Sequence, residues 1–92
     1  MNIFIVNYDL KSPGLDYTPL YSAIKACGDW YHIMDSAWLV ATDNLFANDI
    51  VTKIKKFIDN NDWLYVVLID PSEEQGWLPK QVWDWIEKYR NL

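Results

Sequence analysis

The stretch Asn2-Ile3-Phe4-Ile5-Val6-Asn7-Tyr8-Asp9 limits what this chain can fold into more than any other. Its apolar part does not alternate, so Ile3, Phe4, Ile5 and Val6 present apolar side chains to both faces of a strand. Such a strand belongs in the middle of a sheet covered on both sides. It stops at Tyr8-Asp9, where Leu10 to Asp16, punctuated by Pro13 and Gly14, reads as a loop. The strand therefore ends on a carboxylate at the mouth of a central position.

The remaining elements arrange themselves around it. Tyr17, Leu20, Tyr21, Ile24 and Cys27 recur at helical spacing, with Asp16 or Thr18 as a cap, Pro19 in the first turn and Gly28 past the end. Trp30–Met34 and Ala37–Thr42 read as a hairpin around Asp35-Ser36. A second helix follows the capping side chains of Asp43-Asn44. Its expected buried stripe is Ile50, Ile54, Phe57 and Ile58, with Lys53, Lys55 and Lys56 opposite. Trp63–Ile69 is a fourth strand, apolar on both faces. After the acidic segment Asp70–Gly76, Pro79–Asn91 reads as a helix with Val82, Trp85, Ile86 and Tyr89 on one side.

This order predicts an α+β fold of the ferredoxin-like, split β-α-β type: a four-stranded antiparallel sheet with two helices on one face, plus a C-terminal helix. Residues 1–70 form the ferredoxin-like domain. Residues 71–92 form an acidic linker and an aromatic helix that packs on the sheet or on a dimer partner. Right-handed crossovers put the third and fourth strands on either side of the first. Asp9, the Asp35-Ser36 turn, Asp62 and the Lys11 loop then gather at one edge, and Asp43 and Asp70 at the other. Two helices cover only one face, while the strands are apolar on both. The expected cover is the last helix, or a second copy in a homodimer.

Composition narrows the function. With 13 acidic against 8 basic residues, the net charge of −5 disfavours broad electrostatic binding to nucleic acid. No apolar run is long enough to cross a membrane. The N-terminus lacks the basic region and small-residue cleavage site of a signal peptide. One cysteine, Cys27, suits a reducing cytoplasmic setting. With a single histidine and a single cysteine, the chain has no zinc set.

The candidate chemistry is sparse. Asp9, at the mouth of the central strand, is a candidate functional carboxylate, against the alternative of a strand-end aspartate binding loop amides. Asp35 and Asp62 are weaker partner carboxylates, since turns favour Asp on backbone grounds. Ser36 is a candidate catalytic hydroxyl, and a Ser36–His32–Asp9 arrangement is the least favoured option. The Lys53, Lys55 and Lys56 cluster reads mainly as a solvated helix face. Six tryptophans are many for this length. Trp38 and Trp63 on strands, with Trp85, Ile86 and Tyr89 in the tail, are the candidate interface residues.

Asn7-Tyr8-Asp9-Leu10, Pro13-Gly14-Leu15-Asp16-Tyr17, Ser36-Ala37-Trp38-Leu39-Val40 and Asn61-Asp62 together resemble the small CRISPR-adaptation nuclease family, most closely its SinR-like bacterial relatives. The resemblance spans about residues 2–69. It implies a homodimer in which two copies of Asp9 face each other and hold Mg²⁺, which would activate water and neutralise phosphate charge. The chain departs from that family in carrying only Lys11 between Asp9 and Pro13, and a single arginine, Arg90, in the tail. Its C-terminal segment reads as a helix where the family places a further strand. The leading expectation is a cytoplasmic dimeric scaffold or partner-binding protein. The alternative is a Mg²⁺-dependent endonuclease acting on RNA or DNA through Asp9.

Overall fold

The computed structural model describes residues 1–12 and 16–92, so the expected Pro13-Gly14 turn lies outside the described residues. The elements follow in the order β1 (Asn2–Asp9), α1 (Thr18–Lys25), β2 (Asp29–Met34), β3 (Ala37–Thr42), α2 (Ala47–Ile54), β4 (Trp63–Leu68) and α3 (Lys80–Arg90). The sheet order is β2-β3-β1-β4, with each neighbouring pair antiparallel. β1 is central, as its pattern predicts, whereas β4, read as apolar on both faces too, is an edge. Asn7 pairs with Ala37 and Asp9 with Trp63, which brings the end of β1 beside the starts of β3 and β4.

Each face of the sheet has its own core. Phe4, Val6, Tyr8, Trp38 and Val40 pack beneath Leu20, Ile24 and Cys27 of the α1 region and Ile50 and Ile54 of α2. On the other face Ile3, Leu39 and Ala41 pack under Val82 and Ile86 of α3. All six residues of β3 are buried, because both its faces are roofed. Within this chain α3 lies on its own sheet, as a third layer of the fold.

Two helices roof one face and a single 11-residue helix roofs the other. Four strands at about 4.8 Å spacing make a face that two helices, each about 10 Å across, would fill. The α3 side is therefore half covered, and its open half lies towards β4 and the Asp9 end.

Local signals account for most of the element ends, with two departures. The Asp16 carboxylate accepts the Thr18 N–H at 2.9 Å, opening α1 as expected. At α2, Asp49 takes the capping role expected of Asp43-Asn44, accepting the Phe46 N–H at 2.7 Å. Asn44 is engaged with Thr42 instead, whose hydroxyl donates to its side-chain oxygen at 3.0 Å. Phe57, expected in the buried stripe, is exposed. The helix tightens into a 3-10 turn over Lys55–Phe57 and the 3.6-residue spacing is lost there.

Candidate functional site

Asp9 leaves β1 on the face of Ile3 and Ile5, since strand residues alternate. It is exposed and forms an ion pair with Lys11 through Oδ2. The Lys11 ammonium also lies 4.5 Å from the ring centroid of Trp63. Asp9 and Ser36 line one shallow hollow of about 400 Å³, together with Asn7, Tyr8, Trp63, Leu64 and Tyr65. These two candidate residues are thus brought together.

The other carboxylates at this edge do different work. Asp62 is only 8% exposed. Its Oδ1 accepts the Lys11 N–H at 2.7 Å and its Oδ2 accepts the Asp59 N–H at 2.8 Å. It staples the loop leaving β1 to the loop entering β4, which is the backbone role that turn aspartates commonly play. Asp35 contributes through its main chain, its carbonyl accepting the Tyr8 hydroxyl at 3.1 Å.

The Ser36–His32–Asp9 arrangement does not form. His32 lies on the opposite face from Asp9, stacked on the Trp38 indole with centroids 3.9 Å apart and planes 10° from parallel. Its Nε2 lies 3.2 Å from the Asp35 carbonyl oxygen, and that contact takes the place of one to Ser36. The Ser36 carbonyl accepts the Tyr8 N–H at 3.1 Å, a continuation of the β1–β3 ladder.

A buried polar chain unnoticed in the sequence links this edge to the core. Trp38 Nε1–H donates to the Tyr8 hydroxyl oxygen at 3.0 Å, and that hydroxyl donates on to Asp35 O. Burial pushes the Tyr8 phenol up to about 12, outweighing the lowering by the Trp38 hydrogen bond. Cys27 is likewise buried, and burial raises its thiol, as befits a packing residue more than a nucleophile.

Mg²⁺ fits poorly within one chain. Among the described residues, no group of three His, Cys, Asp or Glu side chains could hold a metal ion. Asp9 is engaged by Lys11, and both oxygens of Asp62 are held by amides. A single protomer therefore brings one exposed carboxylate to the hollow, where Mg²⁺ is usually held by one or two carboxylates plus substrate phosphate.

The expected interface residues divide. Trp38 is 2% exposed and belongs to the core under α1, and Ile86 is buried against Ile3 and Leu39. Trp85 and Tyr89 are half-buried, Trp85 packing edge-on to Tyr31 with centroids 6.1 Å apart. Trp63 does face solvent, at 69% exposure, beside Tyr65 at 70%. A separate groove of about 460 Å³ runs between α3 and β4, floored by Ile5, Leu39 and Val67 and rimmed by Asp70 and Glu73. Trp77, fully exposed, stands at its mouth.

No protein-family model, curated protein or solved structure matches this chain. No helix among the described residues is long and apolar enough to cross a membrane.

Proposed function

We propose that this chain is a small cytoplasmic homodimeric scaffold that works by binding a protein partner and carries out no chemistry of its own. The observation that carries the reading is the open half of the α3 face. Trp63 and Tyr65 stand exposed on β4, and a separate apolar groove between α3 and β4 is left unroofed by the fold. Exposed, rigid aromatic side chains over a concave apolar floor are the usual anchors of protein interfaces. The net charge of −5 favours a protein partner over nucleic acid.

A second reading is favoured by one specific observation: Asp9 is exposed and shares its hollow with Ser36 and Asn7. On the suspected kinship with small CRISPR-adaptation nucleases, a homodimer bringing two Asp9 carboxylates together would be a Mg²⁺-dependent endonuclease. The two readings separate in one assay set. Purified protein is incubated with single- and double-stranded RNA and DNA in Mg²⁺, and its mass is measured by light scattering. The scaffold reading expects twice the chain mass and no cleavage. Cleavage that disappears in Asp9→Ala overturns it in favour of the nuclease, and a monomer removes both.

A further inference from the structure

We infer that two copies of this chain join through the outer edge of β4, in antiparallel register centred on Val66, to form one continuous eight-stranded sheet. The inference rests on the homodimer reading above and specifies its surface.

An edge strand presents a row of unpaired N–H and C=O groups, and proteins blunt such rows with charges, proline, bulges or a covering element. The two edges of this sheet differ in that respect. β2 begins with Asp29 and is broken by an irregularity between His32 and Met34. β4 reads Trp-Leu-Tyr-Val-Val-Leu, with no charge, proline or glycine, and its register with β1 runs unbroken from Trp63 to Leu68. Among the described residues it pairs with β1 alone. An uncharged, regular edge of this kind is built to be paired.

The backbone fixes which groups are on offer. The Ile69 N–H donates to Ile3 O at 2.9 Å, on the same register as the pair Phe4–Leu68. Hydrogen bonding alternates along an antiparallel ladder, so Tyr65 and Val67 also turn their backbone groups towards β1. Leu64, Val66 and Leu68 turn theirs outwards. The Tyr8 N–H bond to Ser36 shows the same alternation from the other side of β1.

That outward row is complementary to itself. With Val66 opposite its own copy, Leu64 meets Leu68, and all three residues of each chain exchange backbone hydrogen bonds. The two-fold axis stands perpendicular to the sheet, so each face continues across the join. On the α3 face, Tyr65 then lies opposite Val67 of the second copy and Trp63 opposite Ile69. Aromatic-on-β-branched pairs of this kind stabilise sheets while leaving the aromatic faces on the open surface.

Charge fits the same arrangement. The paired strands themselves carry no charge, and the acidic pair this register brings opposite, Asp62 and Asp70, lies beyond their ends. The Lys11 ammonium over Trp63 arrives where the second copy carries Asp70, just after Ile69. A foreign strand would find the backbone row equally well, but only a second copy supplies all of these pairings at once.

The arrangement bears on Asp9. With strands about 4.8 Å apart and about 3.3 Å per residue, the two Asp9 positions lie roughly 25 Å from each other. One metal ion cannot bridge them, so this dimer and the facing-aspartate nuclease exclude each other.

The test combines mass with amide exchange on the unmodified protein. Light scattering is expected to give a dimer, and NMR hydrogen exchange to show the Leu64, Val66 and Leu68 amides protected as strongly as those of Tyr65 and Val67. A dimer whose Leu64, Val66 and Leu68 amides exchange fast overturns the β4 edge and leaves the homodimer reading intact. A monomer overturns both. Tyr65→Lys, at a side chain exposed within one chain, is expected to weaken dimerisation at least tenfold while circular dichroism stays native. An unchanged dissociation constant in that variant overturns the cross-strand pairing.

Discussion

The indole N–H of Trp38 donates to the hydroxyl of Tyr8 across 3.0 Å, joining β3 to β1 inside the core roofed by α1 and α2. Tyr8 passes the bond on to the Asp35 carbonyl at 3.1 Å. Tyr8→Phe keeps the ring and deletes the oxygen, leaving a buried indole N–H without its partner. The expected cost is about 1–3 kcal/mol, read from urea unfolding.

The same phenol gives the fold an alkaline limit. Its folded-state value is about 12 and its ordinary value 10.0, the difference arising chiefly from burial. Between those values the unfolded chain releases a proton that the folded chain retains, so stability falls as pH rises. The contribution is intact below about pH 10 and fades towards pH 12. Tyr8→Phe is expected to flatten that part of the stability–pH curve. An unaltered decline in the variant would assign it to other groups.

Asp62 ties two loops with one side chain, accepting the Lys11 and Asp59 amides at 2.7 and 2.8 Å. Asp62→Ala is expected to cost about 2–3 kcal/mol, in the range for hydrogen bonds to a charged group. Asp62→Asn keeps one carbonyl acceptor and is expected to cost about half as much. Asp9→Ala, by contrast, removes only an exposed ion pair and is expected to shift stability by less than about 1 kcal/mol. Thermal melts of the three variants side by side check the ranking.

Gly28 sits where the chain from α1 passes close to β3. A β-carbon there would lie 2.3 Å from the Ala41 carbonyl oxygen, which is held in the sheet and cannot retreat. Gly28→Ala is expected to destabilise by about 1–3 kcal/mol, as overpacking does. Gly76→Ala, where nothing lies within 4 Å, is expected to be close to neutral.

Ile86 anchors α3 on Ile3 and Leu39. Ile86→Ala is expected to cost about 2–3 kcal/mol, at the low end for a buried isoleucine because α3 packs from one side only. Protease digestion should then cut first within residues 70–90.

The architecture was legible in the sequence because its strongest signals are local. The non-alternating run Ile3–Val6 identifies a central strand, and the element order with crossover handedness puts β3 and β4 beside it. The fate of each aromatic was not legible. Trp38 and Trp63 are both strand tryptophans, yet one is buried and the other exposed. The difference comes from which strands are roofed, and β4 is an edge. Asp62 and Asp9 looked alike for a similar reason. Only the fold shows that two amides converge on one and that a lysine side chain meets the other. The capping of α2 by Asp49 was hidden because Asp43-Asn44 offered an equally good cap a few residues earlier. The Trp38–Tyr8 bond joins residues 30 positions apart, beyond the reach of any local pattern.

The half-roofed face has a kinetic side. The sheet and its first two helices are complete by Leu68, whereas the roof over Ile3, Leu39 and Ala41 arrives only with α3. A sheet without α3 would carry a bare apolar floor. Because α3 packs from one side only, its detachment is a local opening that bares that floor while the four strands stay paired.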